Sequence, residues 1–176
     1  MNSESTTAIA IFNENDVKGT VIFKQFNINE DVLVMFDLYD LVPEKIRAIH
    51  IHEFGDERKG CESLGGHWNP ENNNHGSIWV KGIHRHAGDL INNIIPDDKG
   101  RFKFSYTDNK LNLIGDVKTT IIGRSVVIHD DLDDLGLGGL NDDGQIIDEK
   151  VHEESLKTGN AGKRMACAII GIAEKL

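Results

Sequence analysis

The chain has 176 residues, a formal net charge of −10 and a pI near 5.2, with 39% hydrophobic and 27% charged residues. This composition is ordinary for a globular protein with its own core, so we expect one domain over residues 1–176. The acidic balance argues against nucleic acid or an anionic membrane as the main partner, because both bind to basic surfaces.

The sequence shows no membrane or secretory signal. No apolar run approaches the ~20 residues that a membrane-spanning helix needs. The segment Met1–Thr7 lacks the basic and apolar regions of a signal peptide. We therefore expect a cytosolic protein, or, if a virus encodes it, one in the host cytoplasm or the virion. Two cysteines are too few for a disulfide scaffold, and a cytosolic pair is normally reduced.

Short alternating runs rich in β-branched residues predict strands in chain order. They are Thr6–Phe12, Gly19–Phe26, Asp31–Tyr39, Arg47–Glu53, Gly100–Thr107, Val117–His129 (one or two strands, broken at Gly123) and Lys163–Ala173. Two long segments rich in Gly, Asn and Asp, at 54–89 and 130–161, predict functional loops. We therefore expect an all-β, eight-stranded Greek-key barrel or sandwich of immunoglobulin-like architecture with two long loops.

The fourth predicted strand carries His50 and His52. Residues two apart on a strand point to the same face, about 6.5–7 Å apart, so both imidazoles can reach one metal ion. Taken alone, the pair is equally typical of half-exposed strand histidines. The next loop adds further ligand-type residues, namely Cys61, His67, His75, His84, His86 and Asp89. The combination predicts a metal site.

Several motifs, in order, resemble the copper/zinc superoxide dismutases. They are His50-Ile-His52-Glu-Phe-Gly-Asp56, Gly60-Cys61, Gly66-His67-Trp-Asn-Pro70, His75-Gly76, Arg85-His86-Ala-Gly-Asp89-Leu90, Gly123-Arg-Ser-Val-Val-Ile-His129, Asp133-Asp-Leu-Gly-Leu-Gly-Gly139 and Thr158-Gly-Asn-Ala-Gly-Lys-Arg164-Met-Ala-Cys167. The resemblance covers most of the chain from residue 46 onward. It implies an enzyme that converts superoxide into dioxygen and hydrogen peroxide, with copper as the redox metal and zinc as the structural metal.

The resemblance also implies ligands for both metals. Copper would be bound by His50, His52, His67 and His129. Zinc would be bound by His67, His75, His86 and Asp89, so that His67 would bridge the two metals. Imidazole suits both ions, and nitrogen ligands with one carboxylate are an ordinary zinc set.

Other implied roles lie around the metals. Asp133 would link the outer ring nitrogens of His50 and His75. His67 and Arg164 would take part in the reaction, with Arg164 docking the anion and Lys157 adding to the steering field. The resemblance further implies an intrasubunit disulfide between Cys61 and Cys167, which overrides the expectation of reduced cysteines.

Two features depart from the usual pattern of the family. Asp131 stands where many relatives carry lysine, and Leu140–His152 lengthens the charged loop with acidic residues. We expect weaker steering if this extension lies near the substrate entrance; alternatively, it caps the loop or contacts a partner. His84 could compete for zinc, but we favour a surface position, and we expect His152 to be solvated.

The sequence leaves the assembly and two rival functions open. Three pairs resemble the dimer patch of the family, which favours a homodimer, although they could belong to the core: Phe54-Gly55, Ile122-Gly123 and Gly171-Ile172. A copper chaperone is a further possible partner. The first rival is a non-catalytic copper-binding or copper-delivery module, and the second is a zinc-only structural protein. The presence of both His129 and Arg164 favours the enzyme.

Overall fold

The computed structural model of the chain describes residues 5–14, 16–82 and 84–174. Its strands are β1 (Thr6–Glu14), β2 (Val17–Gln25), β3 (Val32–Tyr39), β4 (Arg47–His52), β5 (Arg58–Cys61), β6 (Asn93–Ile94), β7 (Phe102–Asp108), β8 (Ser125–His129), β9 (Arg164–Ile169) and β10 (Gly171–Ile172). The helices are a 3₁₀ turn (Ala87–Asp89) and α1 (Glu149–Thr158). Among the described residues, no helix is long and apolar enough to cross a bilayer.

The strands form two antiparallel sheets. One has the order β10-β1-β2-β3-β7 and the other the order β6-β4-β8-β9. The chain runs through β1, β2 and β3 as a meander, and then leaves this sheet and returns to its edge as β7. The predicted all-β sandwich is therefore confirmed. Within the described residues, the two sheets do not join into a closed barrel.

Alternation along the strands builds the core and also positions the histidines. Strands β4 and β8 are buried along their whole length. Their aliphatic residues, such as Ile49 and Ile128, belong to the core between the sheets. Because neighbouring residues on a strand point to opposite faces, His50 and His52 lie on the other face of β4, under the long loops.

Two predicted strands differ from the observed ones. The run Lys163–Ala173 divides into β9 and β10, which belong to different sheets, and the run Val117–His129 is shorter than expected. Only Ser125–His129 of the predicted run Val117–His129 is a strand. The preceding residues form turns, in which the Arg124 side chain donates to Thr120 O (2.8 Å) and Val117 O (2.9 Å). Gly123 has a φ of 86°, which a continuous strand does not accommodate. These contacts outweigh the β-branched composition of the segment.

Helix α1 lies in the second predicted loop. The Asp148 side chain caps its N-terminus by accepting a hydrogen bond from Val151 N at 3.1 Å. Gly159, with a φ of 64°, follows its last turn and donates to Ser155 O. The helix was not predicted because the segment has few hydrophobic residues. Its caps and tertiary contacts stabilise it, rather than a buried apolar face.

Candidate metal centre

Two buried groups of ligand-type side chains share one residue. Within each group, one potential ligand atom per residue lies within 4.8 Å of the others. The first cluster consists of His50, His52, His67 and His129. The second cluster consists of His67, His75, His86 and Asp89. The structure thus brings together all seven residues that the resemblance implied as ligands, and His67 belongs to both clusters.

The first loop reaches the clusters because it runs beside β4. Trp68 N donates to Ile51 O at 2.7 Å, and Gly88 N donates to Trp68 O at 2.8 Å. A Cβ atom on Gly88 would lie 2.3 Å from Ile51 O, so only glycine permits this close layering. The layering places His67 next to His52 and the 3₁₀ turn with Asp89 beneath them.

The first cluster has the spacing of metal ligands. Nε2 of His52 and Nε2 of His129 are 3.3 Å apart. Two ligands bound tetrahedrally at about 2.0 Å from a metal are separated by about this distance. Nδ1 of His50 is buried without a hydrogen-bond partner. An unpartnered buried nitrogen beside two converging imidazoles fits a cation that accepts nitrogen ligands, such as copper.

The second cluster centres on one carboxylate oxygen. Oδ1 of Asp89 lies 3.0 Å from Nδ1 of His67, 2.9 Å from Nδ1 of His75 and 3.1 Å from Nδ1 of His86. The contact with His86 lacks hydrogen-bond geometry, so Nδ1 of His86 is buried without a hydrogen-bond partner. Oδ2 of Asp89 instead accepts hydrogen bonds from the backbone of His86 and Gly76. Three nitrogens and one carboxylate oxygen fit zinc.

Asp133 lies behind both clusters. Its Oδ2 is 2.6 Å from Nε2 of His50, and its Oδ1 is 3.0 Å from Nε2 of His75. Asn92 Nδ2 also donates to Oδ2 at 3.0 Å. With 1% of its surface exposed, Asp133 connects one residue of each cluster through the ring nitrogens that point away from the other ligands.

Burial keeps the first cluster neutral near pH 7. It lowers the pKa of all four histidines, to about 3 for His67 and about 4 for His129. A buried imidazolium costs more free energy than the neutral ring, so the neutral form with its metal-binding lone pair is favoured.

His75 of the second cluster differs from the histidines of the first. Burial by itself lowers the pKa of His75, but hydrogen bonds to Asp133 and Asp89 outweigh it and raise this pKa to about 10. Burial likewise raises the pKa of both carboxyl groups, but the histidine hydrogen bonds hold these pKa values below the usual range. Without a cation, the His75 proton offsets the two buried anions; a bound cation replaces it.

A cleft of about 480 Å³ opens onto the first cluster. Its walls are formed by His52, Gly66, His67, His129, Glu154, Lys157, Thr158, Asn160, Ala161, Gly162 and Arg164. The Arg164 guanidinium is anchored by Nη1, which donates to Cys61 O at 2.6 Å, and by Nη2, which donates to Gly65 O. Both predicted steering residues, Arg164 and Lys157, therefore line the cleft beside the histidines.

The extension does not form part of the cleft wall. None of the lining residues comes from Leu140–His152. Instead, Asn141 and Gln145 close a hydrogen-bonded turn, and the last residues of the extension begin α1. This geometry favours the alternative that the extension caps the charged loop. The carboxylate of Asp131, however, lies close to Gly162 on the cleft wall.

The remaining two histidines lie outside both clusters. His84 is exposed, as predicted. His152 was predicted to be solvated, but it is half-buried, with Nδ1 3.0 Å from Gly138 O. The cause is the helix, which packs His152 against the Gly138–Gly139 turn.

Sequence reasoning missed several residues around the site. Thr158 and Asn160 line the cleft, although they had served only as the context of Arg164. The motif Thr158–Arg164, which contains both residues, could have indicated their place beside Arg164. Asn92, which binds Asp133 from 41 positions away, had no local signal.

The disulfide implied by the resemblance is present. Cys61 and Cys167, which are 106 positions apart, join β5 to β9 with a Cα–Cα distance of 5.8 Å. Because Arg164 binds the carbonyl of Cys61, the bond also holds the segment on which this guanidinium rests.

The two sheets and the two buried histidine clusters are typical of a metal-binding β-sandwich protein. Comparison of the chain with known proteins identifies its family. The family model for copper/zinc superoxide dismutase matches residues 17–170. A copper–zinc superoxide dismutase of Neurospora crassa is 44% identical over 92% of this chain and 94% of its own length. The copper–zinc superoxide dismutase of Paramecium bursaria Chlorella virus 1 is 42% identical over 98% of this chain and 82% of its own length.

A solved structure agrees with these relatives. The clock protein EA4, in its crystal structure, is 35% identical in sequence to this chain. The two structures superpose with a TM-score of 0.78, covering 95% of this chain and 94% of the EA4 chain. The chain therefore belongs to the copper/zinc superoxide dismutase family and is an enzyme of that family.

Proposed function

We propose that the chain catalyses the dismutation of superoxide, in which two superoxide anions and two protons give one dioxygen and one hydrogen peroxide. Copper would bind at the first cluster and zinc at the second. One observation carries the proposal: the cleft is lined by His52, His67 and His129 of the first cluster, but by no residue found only in the second. A small anion would therefore meet the first cluster, while the second stays closed.

The donor sets support a division of labour. Copper in the first cluster would supply one-electron exchange, because it cycles between two oxidation states, whereas zinc in the second would hold the geometry. The chain supports this division by sharing His67 between the clusters and by joining them again through Asp133.

Arg164 would dock the substrate. Its contacts with two backbone carbonyls hold the guanidinium at the cleft wall, and its other N–H groups remain suited to a charge-assisted hydrogen bond to an anion. Lys157 adds a second positive charge in the same cleft. The net charge of −10 repels superoxide only weakly at a distance, because physiological salt screens charges over about 8 Å.

His67 would deliver one of the two protons. Its Nδ1 is turned towards Asp89 at 3.0 Å, which leaves Nε2 for the first cluster. Because His67 also lines the cleft, Nε2 would take up a proton from solvent in the part of the cycle in which it binds no metal, and would then pass it to an anion at Arg164. The second proton would come from water in the open cleft.

We further propose a homodimer. Phe54 and Ile172 are 54% and 76% exposed, which favours an interface over a place in the core. Ile122 packs partly against the core and contributes less. A single domain over residues 1–176, a cytosolic location and loading by a copper chaperone complete the proposal.

The decisive experiment measures copper, zinc and superoxide dismutation on one purified sample. We expect one copper and one zinc per chain and activity proportional to copper. His129→Gln should lose copper and activity while it keeps zinc and the fold. His84→Gln, which changes an exposed histidine outside both clusters, is the matched control and should behave like the unmodified chain.

Two results would contradict the proposal. Zinc binding without copper binding would favour a structural protein. Stoichiometric copper without dismutation would favour a copper-binding module.

A further inference from the structure

The strand end that carries His129 departs from regular pairing. The register between β8 and β9 shifts at Ile128 and His129, as in a β-bulge. Directly after it, Asp130 N donates to Lys163 O at 2.8 Å. A bulge re-aims the side chain at which it occurs, so the direction of the His129 ring depends on what holds this irregular segment.

Strand β4 holds the segment from the other side. The Arg47 side chain donates through Nη1 to Asp130 Oδ1 at 2.8 Å and to Asp130 O at 3.4 Å. The next residue, Ala48, donates its backbone N–H to Asp131 O at 2.8 Å. Arg47 is 6% exposed, whereas the Asp130 side chain is 46% exposed. A buried arginine in β4 thus reaches out to the residue that follows His129.

Burial of Arg47 at this position is energetically unfavourable in one respect. Its Nε is buried without a hydrogen-bond partner. Leaving a buried donor unpartnered is unfavourable, and both contacts with Asp130 use a single nitrogen, which an amine could supply. Such local conflicts are expected mainly where function requires the residue.

We propose that Arg47 is a positioning residue for His129: by holding Asp130, it keeps the His129 ring in the first cluster, 3.3 Å from His52 Nε2. This inference rests on the proposed copper site. The second cluster draws its residues from 67–89, and Asp133, which contacts it, is held independently by Asn92 and Asn93. Arg47 therefore acts on copper binding and not on zinc binding.

The test titrates the zinc-loaded chain with Cu(II) against a competing chelator and records the electron paramagnetic resonance spectrum of the bound Cu(II). Arg47→Met should bind copper about tenfold more weakly with a changed spectrum, which is the lower end of the effect of direct partners of metal ligands, because Arg47 acts on His129 only through Asp130. Zinc affinity should be unchanged. Arg47→Lys should restore the copper affinity and spectrum, since one amine can make both contacts.

Asp130→Ala removes the side-chain acceptor at a half-exposed position and should reproduce the copper-specific change even if Arg47→Met folds poorly. Arg101→Met is the matched control. It removes an arginine that pairs at 2.7 Å with Asp37 of β3, in the five-stranded sheet, and it should change neither metal.

Unchanged copper affinity and spectrum in Arg47→Met and Asp130→Ala would overturn the inference. Equal loss of both metals would also overturn it, because that result indicates a general structural role. The proposed function fails separately, and the inference with it, if His129→Gln leaves the copper spectrum of the otherwise unmodified chain unchanged.

Discussion

At the scale of single residues, Gly159 shows how tightly the link between the two clusters is packed. It has a φ of 64° at the end of α1. A Cβ atom there would lie 2.5 Å from Asp133 Oδ1 and 2.6 Å from His75 Nε2. Glycine is therefore needed both for the backbone conformation and for the space beside this hydrogen bond.

We expect Gly159→Ala to weaken zinc binding by about tenfold or more, because the added methyl group separates Asp133 from His75. Gly144→Ala is the matched control: Gly144 has a φ of 74° with nothing within 4 Å of its Cβ position. Both variants carry a backbone strain of about 1–3 kcal/mol. Zinc titration separates the effects, and equal zinc affinity in the two variants would show that the contact is unimportant.

At the scale of elements, the cleft depends on segments that are distant in sequence. Strand β9 supplies Arg164, α1 supplies Lys157, and the end of β8 supplies His129. The extension contributes by starting α1 and by packing His152 under the Gly138–Gly139 turn. The disulfide between β5 and β9 completes this arrangement.

Reduction of the Cys61–Cys167 disulfide should lower the free energy of unfolding by about 4–5 kcal/mol, because the closed loop spans 106 positions. Guanidinium denaturation of the metal-free oxidised and reduced chains measures the difference. Cys61→Ser should match the reduced chain. Identical midpoints would mean that other contacts restrain the loop already.

At the scale of the whole molecule, the charge is unevenly distributed. Residues 130–158 contain ten Asp and Glu and two Lys, so this segment accounts for most of the net charge of −10. The same segment contributes Glu154 and Lys157 to the cleft. Substrate attraction thus depends on a few local cations in a negative surrounding field.

Arg164→Glu should slow superoxide dismutation by about 10- to 1000-fold and change its salt dependence, because it reverses the charge at the docking position. Lys103→Glu changes the net charge equally, but on β7, the edge strand of the five-stranded sheet, with a side chain 72% exposed. Stopped-flow measurements over a range of ionic strength should show little effect of Lys103→Glu. Equal slowing in both variants would mean that net charge, rather than Arg164, controls the rate.

Local sequence determined the residues of the site and most of the strands. Alternation in β4 placed His50 and His52 on one face, and the resemblance of the ordered motifs to a known family implied the ligands and the cysteine pair. The shared face was predictable because strand periodicity is a local property, whereas the full ligand set and the disulfide followed from the resemblance. The structure brings the same ligand residues into two clusters that share His67.

Tertiary structure alone decided how those residues work together. It opened the cleft onto only one cluster. It also brought Arg47 to Asp130 across 83 positions. No local pattern encodes such contacts, because they depend on which segments pack together and on which buried polar groups then find partners.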